Sequence, residues 1–201
     1  MLYPVPAVMV SCKRSYEKAN IITVAWAGTV CSDPPMISIS IRPERHSHDI
    51  ICDSGEFVVN LVTDSLVRSC DWCGVRSGRD HDKFAEMNLG QYKSEFMDTP
   101  AIEESPVNIY CKVVKKENLG SHDMFIGKVV GVTVDEAYMD DKNRFRLDKC
   151  GLISYSHGEY FSLGKKLGKF GYSVMKKGKG PSGKKHKDSK SNKKKQIKKK
   201  S

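Results

Sequence analysis

The sequence predicts a mainly β domain with a few helices, an antiparallel barrel or sandwich with the helices at its ends. Two observations carry this. Short segments rich in Val and Ile follow one another along the chain, with no long helical stretches between them, which argues against a βαβ sheet. One of these segments, Met36 to Arg42 (MISISIR), alternates strictly, as a half-buried strand does. There is no internal repeat.

Taken in order, the N-terminus from Met1 to Val10 is apolar but carries two prolines and no basic start, so it reads as an edge strand and not a signal peptide. Asn20 to Ala27 (NIITVAWA) is more continuously apolar than Met36 to Arg42, as in a strand covered on both sides. In Met36 to Arg42, Ile37, Ile39 and Ile41 share one face, and Ser38, Ser40 and Arg42 the other. Phe57 to Leu61, Val107 to Val114 and Met124 to Val134 are further strands. Leu152 to Tyr155 and Tyr160 to Leu163 are short candidates. Helices are expected over His46 to Asp53, with Ser47 as a possible cap, and over Ser65 to Cys73. His81 to Met87 suggests one short turn.

Composition divides the chain. It has 201 residues and a net charge of +10. Residues 176–201 hold thirteen lysines and one acidic residue, which is +12, so residues 1–175 carry −2. The expected organisation is a folded body over 1–175 and a lysine-rich disordered tail over 176–201. This excludes a basic nucleic-acid-binding fold and leaves a basic appendage able to bind polyanions weakly. Seven cysteines, an odd number, with no secretory signal argue for a reducing, cytoplasmic compartment. No apolar run approaches the roughly 18–20 residues of a membrane helix.

Several motifs carry chemistry on paper only. Cys70-Asp-Trp-Cys73 is a single CxxC without the second ligand pair that zinc needs, and its cysteines fall on the apolar face of the expected helix, so they read as core. His46 and His48 are two apart and point to different sides of a helix; no metal site is expected, and only His46 belongs to an informative cluster. Gly178 to Lys185 (GKGPSGKK) misses the Ser or Thr of a phosphate loop and lacks its strand and helix. The informative stretch is Ser38, Ser40, Arg42, Arg45, His46 and Ser47. Hydroxyls, guanidinium forks and a helix N-terminus suit a phosphate monoester; a solvated strand edge beside a capped helix is the plain alternative. Lys83, in Asp80 to Phe84 (DHDKF), is on its own a surface lysine. No catalytic triad or general base, and so no catalytic side chain, is expected.

Set in order, Asn20–Gly28 (NIITVAWAG), Pro34-Pro35, Ser38–Ser47 (SISIRPERHS), Gly55–Asn60 (GEFVVN), Cys73–Gly78 (CGVRSG), Asp82–Phe84 (DKF) and His122–Val129 (HDMFIGKV) closely resemble the flavin reductase-like, FMN-binding split-barrel family, with its flavoredoxin-type members nearest. The likeness covers about residues 3–172 and leaves out the tail. It implies a Greek-key split barrel, a homodimer and non-covalent FMN. It also implies electron transfer from NAD(P)H, a transient donor, to flavin, or onward to a redox protein. By the same resemblance, Asn20, Thr23, Ala25 and Trp26 lie along the isoalloxazine ring. Ser40, Arg42, Arg45, His46 and Ser47 lie near the phosphate and ribityl chain, Asn60, Ser77, Lys83 and Phe84 make further contacts, and His122 lies close to the flavin. The two activities it leaves open are an NAD(P)H-dependent flavin reductase and an FMN-containing electron carrier.

Overall fold

The computed structural model describes residues 2–175. The phosphate-loop near miss at 178–185 and the expected disordered tail lie outside the described residues. Residues up to Gly164 form one compact unit. Its strands are β1 Val8–Cys12, β2 Asn20–Val24, β3 Ala27–Ser32, β4 Pro35–Ile41, β5 Glu56–Leu61, β6 Gln91–Tyr92, β7 Ala101–Ile102, β8 Val107–Asn118, β9 Asp123–Val134, β10 Ile153–Ser156 and β11 Glu159–Ser162. Its α-helices are α1 His46–Ser54, α2 Val67–Val75 and α3 Lys83–Glu86. The described residues that follow, up to Met175, carry a 3-10 turn at Tyr172–Val174.

Seven strands form one antiparallel sheet in the order β2-β1-β5-β8-β9-β4-β3. β4 and β5 are consecutive in the chain, yet β8 and β9 lie between them. That is a Greek-key crossing, and α1 carries it. The sheet curls, and Ser40 N donates to Trp26 O at 2.9 Å, which extends the β3–β4 ladder by one pair. β2 and β3, the two ends of the sheet, are joined through the chain at Ala25 and Trp26, and the barrel is split between β2 and β4.

Strand alternation sends side chains to two cores. Val8, Val10, Cys12, Ile22, Val24, Ile39, Ile41, Phe57 and Val59 fill the barrel together with Ile50 and Ile51 of α1. Met9, Ile21, Cys70, Cys73, Phe84 and Ile153 pack outside it, under α2, α3 and the β10–β11 hairpin. Both faces of β1 and β2 are thus covered, which explains their lack of a polar alternation. Cys70 and Cys73 are core residues, as their helical spacing indicates.

Three expectations change. The N-terminal strand is β1, and it lies inside the sheet between β2 and β5; the prolines that suggested an edge sit before it. Asn20 to Ala27 is not one strand. The chain bends at Ala25 and Trp26 and crosses from the β2 edge to β3 at the opposite edge. Ser47 does not cap α1. Arg45 is the N-cap residue and no side chain caps the helix, while Ser47 is buried one position inside it. The other end of α1 is closed by Gly55 at φ 67°, whose N–H reaches Ile51 O at 2.9 Å. That left-handed conformation favours glycine.

Candidate functional site

The split in the barrel is a cleft. Its walls are the backbone of Ile22 to Trp26 and the end of β4 from Ser40 to Arg42, with Arg45 and His122 on the rim, enclosing about 180 Å³. Past Trp26 and Ser40 it continues into a groove of about 430 Å³ bordered by Tyr3, Val5, Gly28 and Ser38. In the other direction, past Ile22 and Arg45, it continues into a groove of about 180 Å³ bordered by His46, Arg76, Ser77, Gly78 and Arg79.

The two ends differ chemically. At one, the Trp26 ring tilts over His122 with centroids 4.4 Å apart. His122 sits in the turn between β8 and β9, where Leu119 N donates to its carbonyl at 2.9 Å and Ser121 Oγ lies 2.9 Å from its Nδ1. Burial, and then the Arg42 charge, push His122 below the ordinary imidazole range, so the ring is neutral at pH 7. At the other end are three guanidiniums, Arg45, Arg76 and Arg79, with Arg42 in the cleft between the two ends. Arg42 is 3.6 Å from Glu44, and Arg79 is 3.7 Å from Asp49. Arg45 has no ion-pair partner among the described residues. It stands where the α1 N–H groups are uncapped, a favourable place for an anion. His46 is also pushed down, by burial and then by Arg79 and Arg14.

Behind the wall lies a set of buried polar side chains. Asn20 Nδ2 donates to Ser47 Oγ at 2.8 Å, while Asn20 Oδ1 is buried without a donor. That oxygen rests on Gly78, where a Cβ would stand 2.2 Å away, so only glycine fits there. Thr23 Oγ1 donates to Cys70 O, which fastens β2 to α2. Lys83 is 3% exposed, and its Nζ donates to Ile21 O and Cys73 O, each at 2.7 Å. Burial lowers its pKa.

The residues named from the sequence therefore divide. Thr23, Ala25, Trp26, Ser40, Arg42, Arg45 and His122 line the cleft, and His46 and Ser77 the adjoining groove. Asn20 and Ser47 buttress the wall from behind. Asn60, Lys83 and Phe84 line neither the cleft nor its grooves. Asn60 points outward from the barrel, fully buried. Its Nδ2 donates to Met9 O at 3.0 Å and to Ser11 Oγ and Val58 O at 3.2 Å, and its Oδ1 accepts from Ile102 N at 2.9 Å. Phe84 is a core side chain. Lys83 is no surface lysine but a tie between β2 and α2. Arg76, Arg79 and Tyr3 were missed. Arg76 precedes Ser77 within the Cys73–Gly78 motif, so its signal was present; Arg79 lies just past that motif, and Tyr3 reaches the cleft only through the fold.

The flavin reductase like domain family matches residues 1–164. The chain belongs to that family. Flavoredoxin of Desulfovibrio vulgaris (Miyazaki F) superposes with a TM-score of 0.81 at 30% identity, covering 87% of this chain and 95% of that one. An FMN-binding protein from Thermus thermophilus superposes at 0.68 with 26% identity over 80% and 86% of the two chains. A protein of Archaeoglobus fulgidus is 30% identical over 141 residues, 70% of this chain and 78% of its own length. Membership places the chain among proteins of flavin-linked oxidoreduction or electron transfer, on the mainly β, curled-sheet fold expected from the sequence. Among the described residues no helix is long and apolar enough to cross a membrane, and no cluster of ligands could hold a metal ion.

Proposed function

We propose that the cleft binds FMN non-covalently, with the ring system toward Trp26 and His122 and the phosphate toward Arg45 and the α1 N-terminus. The observation that carries this reading is that the cleft adjoins a groove on each side, sharing Trp26 and Ser40 with one and Ile22 and Arg45 with the other, with aromatic rings tilted together at one end and an unpaired guanidinium beside free helix N–H groups at the other. These donors and acceptors fit a flavin mononucleotide, because the polar end asks for an anion and the aromatic end for a flat ring.

Bound FMN supplies the redox chemistry, accepting a hydride and releasing one or two electrons. The chain's own residues bind and orient. Arg45, Arg42 and Ser77 anchor the phosphate and ribityl groups. The backbone of β2 lies along the ring edge, where its amides favour negative charge. Trp26 and His122 exclude water from the open face, and neutral His122 adds no competing positive charge there.

The activity we favour is NAD(P)H-dependent reduction of flavin or of another acceptor, with the nicotinamide bound only transiently. The alternative is an electron carrier that keeps its FMN and serves a redox protein, a reading supported by the likeness to flavoredoxin. The functional unit on this reading is a homodimer, since β2 and β3 are open sheet edges that pairing can cover. The folded body extends over 1–175, and the lysine-rich tail, 176–201, binds polyanions weakly and in a salt-dependent way. The setting is the cytoplasm.

The test is spectral and kinetic. Purified protein reconstituted with FMN is expected to show flavin absorbance at about one equivalent per chain and to prefer FMN strongly over riboflavin. Equal affinity for the two sinks the phosphate assignment. Oxidation of NADH and NADPH with and without added free FMN separates the two activities: turnover that needs free flavin or a small acceptor marks a reductase, and turnover only with a redox protein marks a carrier.

A further inference from the structure

The far end of α1 carries a second cluster of reactive side chains, facing away from the cleft. Cys52 lies one turn after His48, and its Sγ is 3.9 Å from Nδ1 and 4.0 Å from Nε2 of that ring. Lys116 of β8 brings its Nζ to 3.7 Å from the same sulfur and to 3.2 Å from Asp123 Oδ2. Asp123 is buried and meets His48 Nε2 at 2.9 Å, and it accepts from Asn118 Nδ2 at 2.8 Å. Asp49 Oδ1 stands 3.4 Å from His48 Nδ1. An ammonium and an imidazole held by a buried carboxylate therefore converge on one sulfur, which is the arrangement of an activated nucleophile with its base and the base's orienting group.

The other cysteines set the contrast. Cys52 alone among the seven is exposed. Burial pushes Cys12, Cys70 and Cys111 up to about 12 and Cys73 up to about 11, which leaves them as protonated core thiols. Cys31 is half-buried, and its Sγ partner is the Asp33 carbonyl at 3.4 Å. It makes an internal control.

We propose that Cys52 is a site of reversible thiolation, where its sulfur exchanges with a small disulfide that carries carboxylates. His48 Nε2 meets Asp123, its two ring nitrogens lie 3.9 and 4.0 Å from the sulfur, and the thiol proton passes to the imidazole or to solvent. The Cys52 thiolate, beside the Lys116 charge, attacks one sulfur of the disulfide. The new Cys52–S bond forms as the original S–S bond breaks, and the other half leaves as a thiolate that is protonated from His48 or solvent. Cys52 is oxidised, the departing thiol is reduced, and no further oxidant is needed. Lys116 is the positioning residue, and it favours a carboxylate-bearing disulfide over a neutral one.

The experiment uses the full-length protein, freed of reductant, and a dicarboxylate aryl disulfide that releases a coloured thiolate. Peptide mass mapping assigns each phase. Cys52 is expected to react first, at least about tenfold faster than Cys31. Cys52→Ser removes the fast phase. Lys116→Met slows it several-fold, Lys116→Arg keeps it, and neither changes Cys31. Added salt slows the charged probe more than an uncharged disulfide. The proposal is overturned if native Cys31 reacts as fast as Cys52, a comparison that needs no variant. It is also overturned if Lys116→Met labels at the native rate.

Discussion

The rim of the cleft and the wall behind it are built from the same sequence motifs but on opposite physical terms. On the rim, Arg42, Arg45 and Trp26 are exposed, and Trp26 retains 45% of its surface. Their stabilising partners are few, so the fold loses little without them. In the wall, Asn20, Asn60 and Lys83 are buried, and nearly every donor is committed to the chain itself. A buried amide or ammonium that loses its partners costs far more than an exposed one. A motif can thus mark a ligand site in two ways, by touching the ligand and by fixing the backbone that does.

The largest expected effect breaks the wall. Asn60→Ala strips partners from Met9 O, Ser11 Oγ, Val58 O and Ile102 N and leaves a cavity. It is expected to lower stability by roughly 2–4 kcal/mol, read from urea unfolding. The protein that remains folded is expected to bind FMN with unchanged affinity. A variant of native stability that has lost FMN would place Asn60 on the ligand and dissolve the distinction.

The converse variant is Arg45→Ala. Removing an exposed, unpaired guanidinium from the anionic end is expected to weaken FMN binding by about 1.5–3 kcal/mol and to leave the unfolding midpoint unchanged. Fluorescence titration measures the first and urea unfolding the second. Full FMN retention would make Arg45 a surface residue.

How far the sequence could be read follows from the same division. The alternation of Ile37, Ile39 and Ile41 and the runs of Val and Ile located the strands, because one buried face leaves a period of two. They could not say that β1 is internal, since an apolar strand looks the same at an edge or in the middle. Nor could they locate the bend at Ala25 and Trp26, which is set by where β4 approaches. For the site, resemblance supplies segments and the strand supplies direction. Thr23 and Asn60 both sit on short strands, yet only β2 borders the split. His48 was passed over because a spacing of two rules out a shared metal with His46. That argument says nothing about Asp123 and Cys52, which only the β8–β9 hairpin and the helix turn bring near.

Gly78 joins the two regions. Gly78→Ala would set a Cβ 2.2 Å from Asn20 Oδ1 and 2.5 Å from its Cγ, so the amide or the Ser77–Gly78 loop must move. A stability loss of about 1–3 kcal/mol is expected, together with weaker FMN binding, because that loop borders the groove. Thermal unfolding and titration report the two effects separately. If both stay at the native value, the loop yields freely and Asn20 is not held against it.

The smallest expected effect lies at Thr23, where rim and wall meet. Its backbone borders the cleft, but its hydroxyl is turned the other way, donating to Cys70 O on α2. Gly74 of α2 packs so close that a Cβ there would lie 3.2 Å from Thr23 Cβ, so the side chain has little room to turn. Thr23→Val keeps the shape and removes only the hydroxyl. The Cys70 carbonyl is left without that donor, and a cost of about 1 kcal/mol in stability is expected. FMN affinity is expected to stay within about twofold, a shift of about 0.4 kcal/mol, because the groups that β2 offers the ligand are backbone amides, which the substitution leaves in place. Thr23→Ser should recover most of the stability, since it restores the donor. A tenfold loss of FMN affinity in the valine variant, with stability intact, would mean that the hydroxyl turns into the cleft when ligand binds and that β2 contributes side chains as well as backbone to the rim.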